Sequence, residues 1–331
     1  MDNIPCDLKR ARKVFSRIGL ALCTILVISS VLQVIWFTLP TIISDCGSWF
    51  NSSSWGMWLG TFAPVYLVAV PVGLLILRKI PAQPPQDNPL GTKNFLIFLP
   101  IAICLMYFGS IIGNLLSFIL SGGNAENVLT DYAMDTNPLK IIIMVILAPM
   151  IEEYIFRKQI IDRSGKYGEK AAVFLSAFSF ALFHLNLFQF FYAFGLGLVF
   201  AYIYTRTGRL RYPIVLHGII NFTGSVIAPW ILSLTDLEAI ENLNANVSPE
   251  EIMALYSEII PGFVVYILYV MILMGLSIAG LVLLILKCRK LIWKETDDQL
   301  PKGNLVKAIY LNTGMVLYIL LCLIMILVSL L

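Results

Sequence analysis

The chain reads as an all-α, polytopic transmembrane helical bundle, and three observations lead there. Its 331 residues are 59% hydrophobic and only 13% charged, where soluble domains carry about 25% charged residues. Mean hydropathy is +0.85. Apolar runs recur at bilayer-spanning length, about 20 residues, and charge gathers in the short stretches between them. The net charge of +3 is too small to suggest a nucleic-acid partner; the lipid bilayer is the expected surrounding. Of six cysteines, Cys23, Cys104 and Cys322 lie inside apolar runs and none forms a CxxC pair, so neither a disulfide framework nor a thiolate metal site is indicated.

About nine spans are predicted, near 17–43, 57–77, 94–120, 139–160, 169–185, 188–205, 211–232, 262–286 and 307–331, with eight as the alternative count. The first run is too long for a cleaved signal peptide and reads as an anchor. Residues 1–80 form a two-span segment, and the polar stretch from Pro81 to Pro89 opens a proline-rich linker over 81–93. A bundle over 94–233 follows, with 169–185 and 188–205 so short and closely joined that either tilted spans or a tight hairpin is expected. Gly109 and Gly113 fit small-xxx-small helix packing, and Gln33, Asn114 and Gln189 read as interhelical polar contacts. An acidic connection over 234–261 carries a helix start at Ser248-Pro-Glu-Glu251, and 262–331 supplies the last two spans.

Positive charge sets the orientation. Lys9, Arg10, Arg12, Lys13 and Arg17 hold the N-terminus in the cytoplasm, and alternate connections carry the remaining basic clusters. The opposite connections are acidic or neutral, with Asp131 and Asp135 in one and Glu250 and Glu251 in another. The expected location is a cell membrane, and a compact multi-pass chain of this kind fits a bacterial plasma membrane.

Glu152 and Glu153 interrupt an apolar run that begins at Ile141. Each carboxylate at that depth costs about 2.5–3.5 kcal/mol on an insertion scale, so a group facing protein or water is expected. Arg157, four residues after Glu153, is spaced for an ion pair, although it also suits an interfacial cation with its stem in the membrane. The chain's two histidines both fall in apolar helices: His184 ends Phe180-Ala-Leu-Phe-His184, and His217 shares a helix face with Asn221. Pro213 sits in the first turn of that helix, where a missing N–H is harmless. Counting residues from the cytoplasmic turns, the three groups spread over about 12 Å of depth, which helix tilt would have to close.

Singly, each histidine or Asn221 reads as an interhelical hydrogen-bonding group. Together they form a hydrolytic kit: a carboxylate to take a proton from water, imidazoles to ligate a metal or support an oxyanion, and an amide able to do the latter. Glu152-Glu153-Tyr-Ile-Phe-Arg157, Phe180-Ala-Leu-Phe-His184 and His217-Gly-Ile-Ile-Asn221 resemble, in order, the EExxxR, FxxxH and HxxxN motifs of the CPBP intramembrane protease family, the CAAX proteases and bacteriocin-processing ABI proteins. The resemblance covers roughly the motif core 139–225. It implies a bundle with a polar cavity open to the cytoplasm, Glu152 or Glu153 as the base, and His184 as a water-positioning or metal-binding group. It further implies that His217 and Asn221 stabilise the oxyanion or complete a metal site, with Arg157 and Phe180 supporting. A divalent metal, zinc, would rest on His184 and His217 with Glu153; a metal-free glutamate mechanism remains open beside it.

The leading expectation is thus an intramembrane endopeptidase acting on a membrane-associated peptide, with Glu152 as base and Glu153 paired with Arg157. A non-catalytic scaffold for another membrane protein and a proton-coupled transporter are the alternatives. The chain lacks HExxH, an intraspan aspartate and a suitable GxSx loop, which argues against site-2, aspartyl and rhomboid types.

Overall fold

A computed structural model describes residues 8–43, 53–235, 249–296 and 298–331, and among them every regular element is helical. The order is α1 Leu8–Ile43, α2 Ser54–Leu77, α3 Thr92–Ser121, short α4 Val128–Met134, a composite α5 over 141–164, α6 Glu169–Phe183, α7 Leu187–Thr207, α8 Arg211–Ser233, α9 Pro249–Cys288, and the bent pair α10 Leu305–Ile309 and α11 Thr313–Val328. The expected helix start at Ser248 lies outside the described residues, as do residues 236–248 of the acidic connection.

Six described helices are long and apolar enough to cross a membrane, or seven if the α10–α11 pair, bent by 66°, is one span. The nine-span expectation is corrected at the two motif-bearing helices. α6 has 15 residues, about 22 Å at the helical rise, short of a roughly 30 Å hydrocarbon core. α5 is broken into Ile141–Leu147, Ala148–Glu153, Tyr154–Gln159 and Ile160–Ser164, the first and third wound as π-turns. Such turns recur at functional positions, and a hydropathy window does not register them.

Two large apolar clusters build most of the core, and a small third one gathers Ile161, Val173, Ala201 and Tyr204. Of the large ones, one joins Phe15, Ile18 and Leu22 of α1 to Phe156, Phe180, Met315 and Tyr318. The other joins Ile101 and Ile103 of α3 to Leu196, Phe200 and Ile203 of α7 and to Leu216 and Ile220 of α8. Small residues permit the close crossings: a Cβ at Gly109 would collide with the Tyr192 backbone, and one at Gly113 would meet the Leu187 carbonyl oxygen. The small-xxx-small reading therefore holds for the α3–α7 contact. Gln33 donates across helices to the Thr61 carbonyl at 2.8 Å. Asn114 and Gln189 do not cross. Asn114 donates to Ser110 O of its own helix, and Gln189 donates to the Tyr192 hydroxyl one turn on, because a partner three or four residues away is already on the same face.

The proline-rich linker is pinned to the bundle. Gln83 N–H donates to Asp162 O, Asn88 N–H to Thr207 O, and Leu90 N–H to the Tyr212 hydroxyl, while Asp87 pairs with Arg209. Gly208, at φ +65°, closes α7 directly beneath the Pro85 and Gln86 carbonyls, where a side chain would clash. Arg163 is buried and donates to Leu77 O at 2.9 Å, satisfying a carbonyl at the C-terminal end of α2 with positive charge.

Candidate functional site

The site lies on the seam between the two large apolar clusters, where α5, α6, α7 and α8 meet. Glu153 and Arg157 are one turn apart on α5 and both side chains are 0% exposed. The carboxylate is gripped twice, by Arg157 Nε on Oε2 at 2.8 Å and by Arg157 Nη2 on Oε1 at 3.2 Å. The third guanidinium nitrogen donates to Ser176 Oγ at 2.8 Å, whose hydroxyl donates in turn to Phe156 O. The guanidinium also stands 4.7 Å from the Phe180 ring centre and 5.7 Å from that of Phe200. A buried ion pair is sustained only with further hydrogen bonds, and here each of the three guanidinium nitrogens has an acceptor. The interfacial-cation reading of Arg157 is therefore corrected, and its role in restraining Glu153 stands.

His217 completes the group. Its Nδ1 lies 3.1 Å from Glu153 Oε1; a paired carboxylate can only accept, so Nδ1 carries the proton. Its Nε2 points to Glu152 Oε2 across 3.9 Å, a gap that a bridging water spans better than a direct bond. The imidazole is held by Phe200, stacked at 5.2 Å, and by Phe180, edge-on at 5.8 Å. Glu152, by contrast, is 20% exposed and makes no close bond comparable to those of its neighbour. The phenols of Tyr66 and Tyr192 lie within electrostatic reach of it.

His184 occupies the turn between α6 and α7. Its Nδ1 donates to Phe180 O at 2.9 Å, since a carbonyl accepts only, and this leaves Nε2 free. Its ring meets Phe180 edge-on at 4.8 Å, so one phenylalanine touches both imidazoles. Of the two alternatives for the short spans, α6 and α7 show the tight connection, with three residues between them. Asn186 caps α7 by accepting from Gln189 N–H and donates to His184 O at 2.7 Å. Between them Leu185 has φ +59°, the one positive-φ non-glycine among the described residues; such strain costs about 1–3 kcal/mol and gathers at functional turns. Asn221 donates to the Met144 carbonyl at 2.8 Å, where the π-winding of Ile141–Leu147 displaces the regular bonding. This contact fastens α8 to α5 and leaves the second amide N–H uncommitted.

The structure thus brings Glu152, Glu153, Arg157, Phe180, His184 and His217 together and closes the depth spread, with Asn221 at the rim through Met144. The sequence reading missed Ser176 and Phe200. Ser176 was findable, because 176, 180 and 184 form a four-residue stripe down one face of α6; nothing in the α7 sequence singles out Phe200. No three His, Cys, Asp or Glu side chains among the described residues converge as a set able to hold a metal ion. Both oxygens of Glu153 are already taken by Arg157 and His217, so the expected zinc set of His184, His217 and Glu153 does not fit this geometry.

Residues 135–223 match the family model of type II CAAX prenyl endopeptidases, Rce1-like. Over these residues the chain is similar to the CAAX protease family. It is 29% identical over 164 residues to YdiL of Bacillus subtilis (strain 168), provisionally named a membrane peptidase; that match covers 47% of this chain and 66% of YdiL. It is 36% identical over 92 residues to MroQ of Staphylococcus aureus (strain USA300), named a membrane-embedded CAAX protease, covering 25% of this chain and 37% of MroQ. The chain therefore spans less than two thirds of either relative. No solved structure matches it.

Proposed function

We propose that the chain is an intramembrane endopeptidase of CAAX type, which hydrolyses a membrane-associated peptide by a glutamate-activated water. The observation that carries this is the unequal treatment of two adjacent carboxylates: Glu153 is locked to Arg157 and His217, whereas Glu152 is partly exposed and faces His217 Nε2 across a water-sized gap. In this reading Glu153 and Arg157 position, and Glu152 acts. Glu153 fixes the His217 tautomer so that Nε2 presents its lone pair to the water. Glu152 takes the water proton as the oxygen attacks the scissile carbonyl carbon, then delivers it to the departing amine as the C–N bond breaks. His184, through Nε2, orients the water or the substrate carbonyl, and the spare N–H of Asn221 is the available neutral donor for the oxyanion. No step is routed through a metal.

The substrate enters from the bilayer, and its chemistry beyond a membrane-associated peptide, prenylated or not, follows the family only by analogy. The N-terminus is taken to lie in the cytoplasm of a bacterial cell, in line with the basic flank of α1. Complete motifs converging on one site favour chemistry over a scaffold.

Membrane-peptide proteomics of cells carrying the wild-type chain or Glu152→Ala tests the proposal. Uncleaved precursors should accumulate with Glu152→Ala and with His184→Ala, while the proteins remain inserted. An unchanged peptide profile would reject hydrolysis. Cleavage should persist in strong chelator; its loss would restore the metal version without rescuing a scaffold role.

A further inference from the structure

A second site stands apart from the glutamates, where the start of α3 and the ends of α7 and α9 meet. A cavity of about 300 Å³ opens there. Its rim carries Arg206, Lys287 and Lys290, and its wall is built from Ile97, Phe98 and Leu291. Arg206 pairs with Glu169, yet its buried Nε–H meets no acceptor. Lys287 and Lys290 are exposed and carry no ion pair among the described residues. The three helices that form the pocket are all long and apolar enough to cross a membrane, so the pocket sits at the interface where spans meet headgroups.

We infer that this pocket binds the phosphate headgroup of an anionic phospholipid drawn from the adjacent leaflet. The charge is complementary: Lys287 and Lys290 supply free cations at the rim, and Arg206, whose Nε–H has no acceptor within the protein, adds a third basic group to the lining. The apolar wall accounts for the rest of the lipid. A soluble anion would leave Ile97, Phe98 and Leu291 unmatched, whereas the first methylenes of an acyl chain cover them. Basic pockets between spans at a membrane face take anionic headgroups on these grounds.

The test uses the full chain in neutral detergent with phosphatidylglycerol, phosphatidylcholine of the same acyl chains, and inorganic phosphate as probes, read by retained lipid in native mass spectrometry. One phosphatidylglycerol should be retained in preference to phosphatidylcholine, and inorganic phosphate should not displace it. Lys287→Gln with Lys290→Gln should weaken retention roughly 30-fold, at about 1 kcal/mol per cation near the surface. Arg78→Gln with Lys79→Gln removes equal charge elsewhere on the same face and should change retention little. Equal retention of both lipids, displacement by phosphate, or equal losses in the two double variants would overturn the site. Lys290→Glu alone, at an exposed position, gives the same reading should the double variant fold poorly.

Discussion

Helices α9 and α5 run through one bundle with opposite relations between polarity and burial. α9 carries the higher hydropathy, 2.6 over its span window, and only 11% of that window is buried inside the protein. α5 bears Glu152, Glu153, Arg157, Lys158, Asp162 and Arg163, too much charge for an apolar span, and yet holds Glu153 and Arg157 fully buried. The contrast teaches that apolarity here marks contact with lipid, which is as apolar as leucine and drives no helix association by itself. Charge marks the interior, where polar partners meet. α7 falls between, with hydropathy 1.6 and half its window buried.

The sharpest way to break this comparison is to truncate on each side of it. Arg157→Ala leaves Glu153 buried without its partner and should destabilise the protein by about 3–5 kcal/mol. Ile272→Ala, on the lipid face of α9 at 62% exposure, should stay within about 0.5 kcal/mol. Reversible denaturation in detergent measures both, and similar losses would dissolve the distinction.

A smaller effect tests α9 against itself. A Cβ at Gly280 would run into the Pro100 carbonyl of α3, whereas one at Gly275 meets nothing within 4 Å. Gly280→Ala should therefore cost about 1–3 kcal/mol by overpacking, and Gly275→Ala should be neutral or slightly stabilising. Unfolding midpoints of the two variants decide whether α9 is docked along one line only.

The mildest effect lies at the opposite end of the bundle. Burial pushes the Asp135 carboxyl up, but hydrogen bonds from Ser54, the Asn137 N–H and Trp58, with Lys140 nearby, leave it below its ordinary value. A carboxyl depressed by folding stabilises above its unfolded pKa, about 3.9. That contribution disappears as pH falls through the lower folded value. Stability should thus drop below about pH 4 less steeply in Asp135→Asn than in the wild type, as read from unfolding midpoints across pH.

Much of the site was legible because charge in an apolar run demands a reason. Glu152 and Glu153 announced themselves, and the four-residue spacings of Glu153 with Arg157 and of His217 with Asn221 proposed faces that the fold bears out. The division between the glutamates also came from spacing, since only Glu153 is one turn from Arg157. Other features depend on contacts that have no period. The linker from Pro81 to Pro89 looks like a spacer, yet its N–H groups bond to Asp162 O and Thr207 O. Asn221 has the composition of an oxyanion donor, and only the π-winding near Met144 shows where one of its N–H groups goes. The span count erred at α5 and α6 because a window of hydropathy sees neither π-turns nor a 15-residue helix shielded by its neighbours.

The central claim is that Glu153 holds the site and Glu152 is free to act. Thermal unfolding of Glu152→Gln and Glu153→Gln, side by side in detergent, tests it most directly. Glu153→Gln strips the charge opposing a buried arginine and should lower the midpoint by an amount equivalent to several kcal/mol, while Glu152→Gln should remain within about 1 kcal/mol of wild type. Equal losses, or a larger loss in Glu152→Gln, would contradict the account.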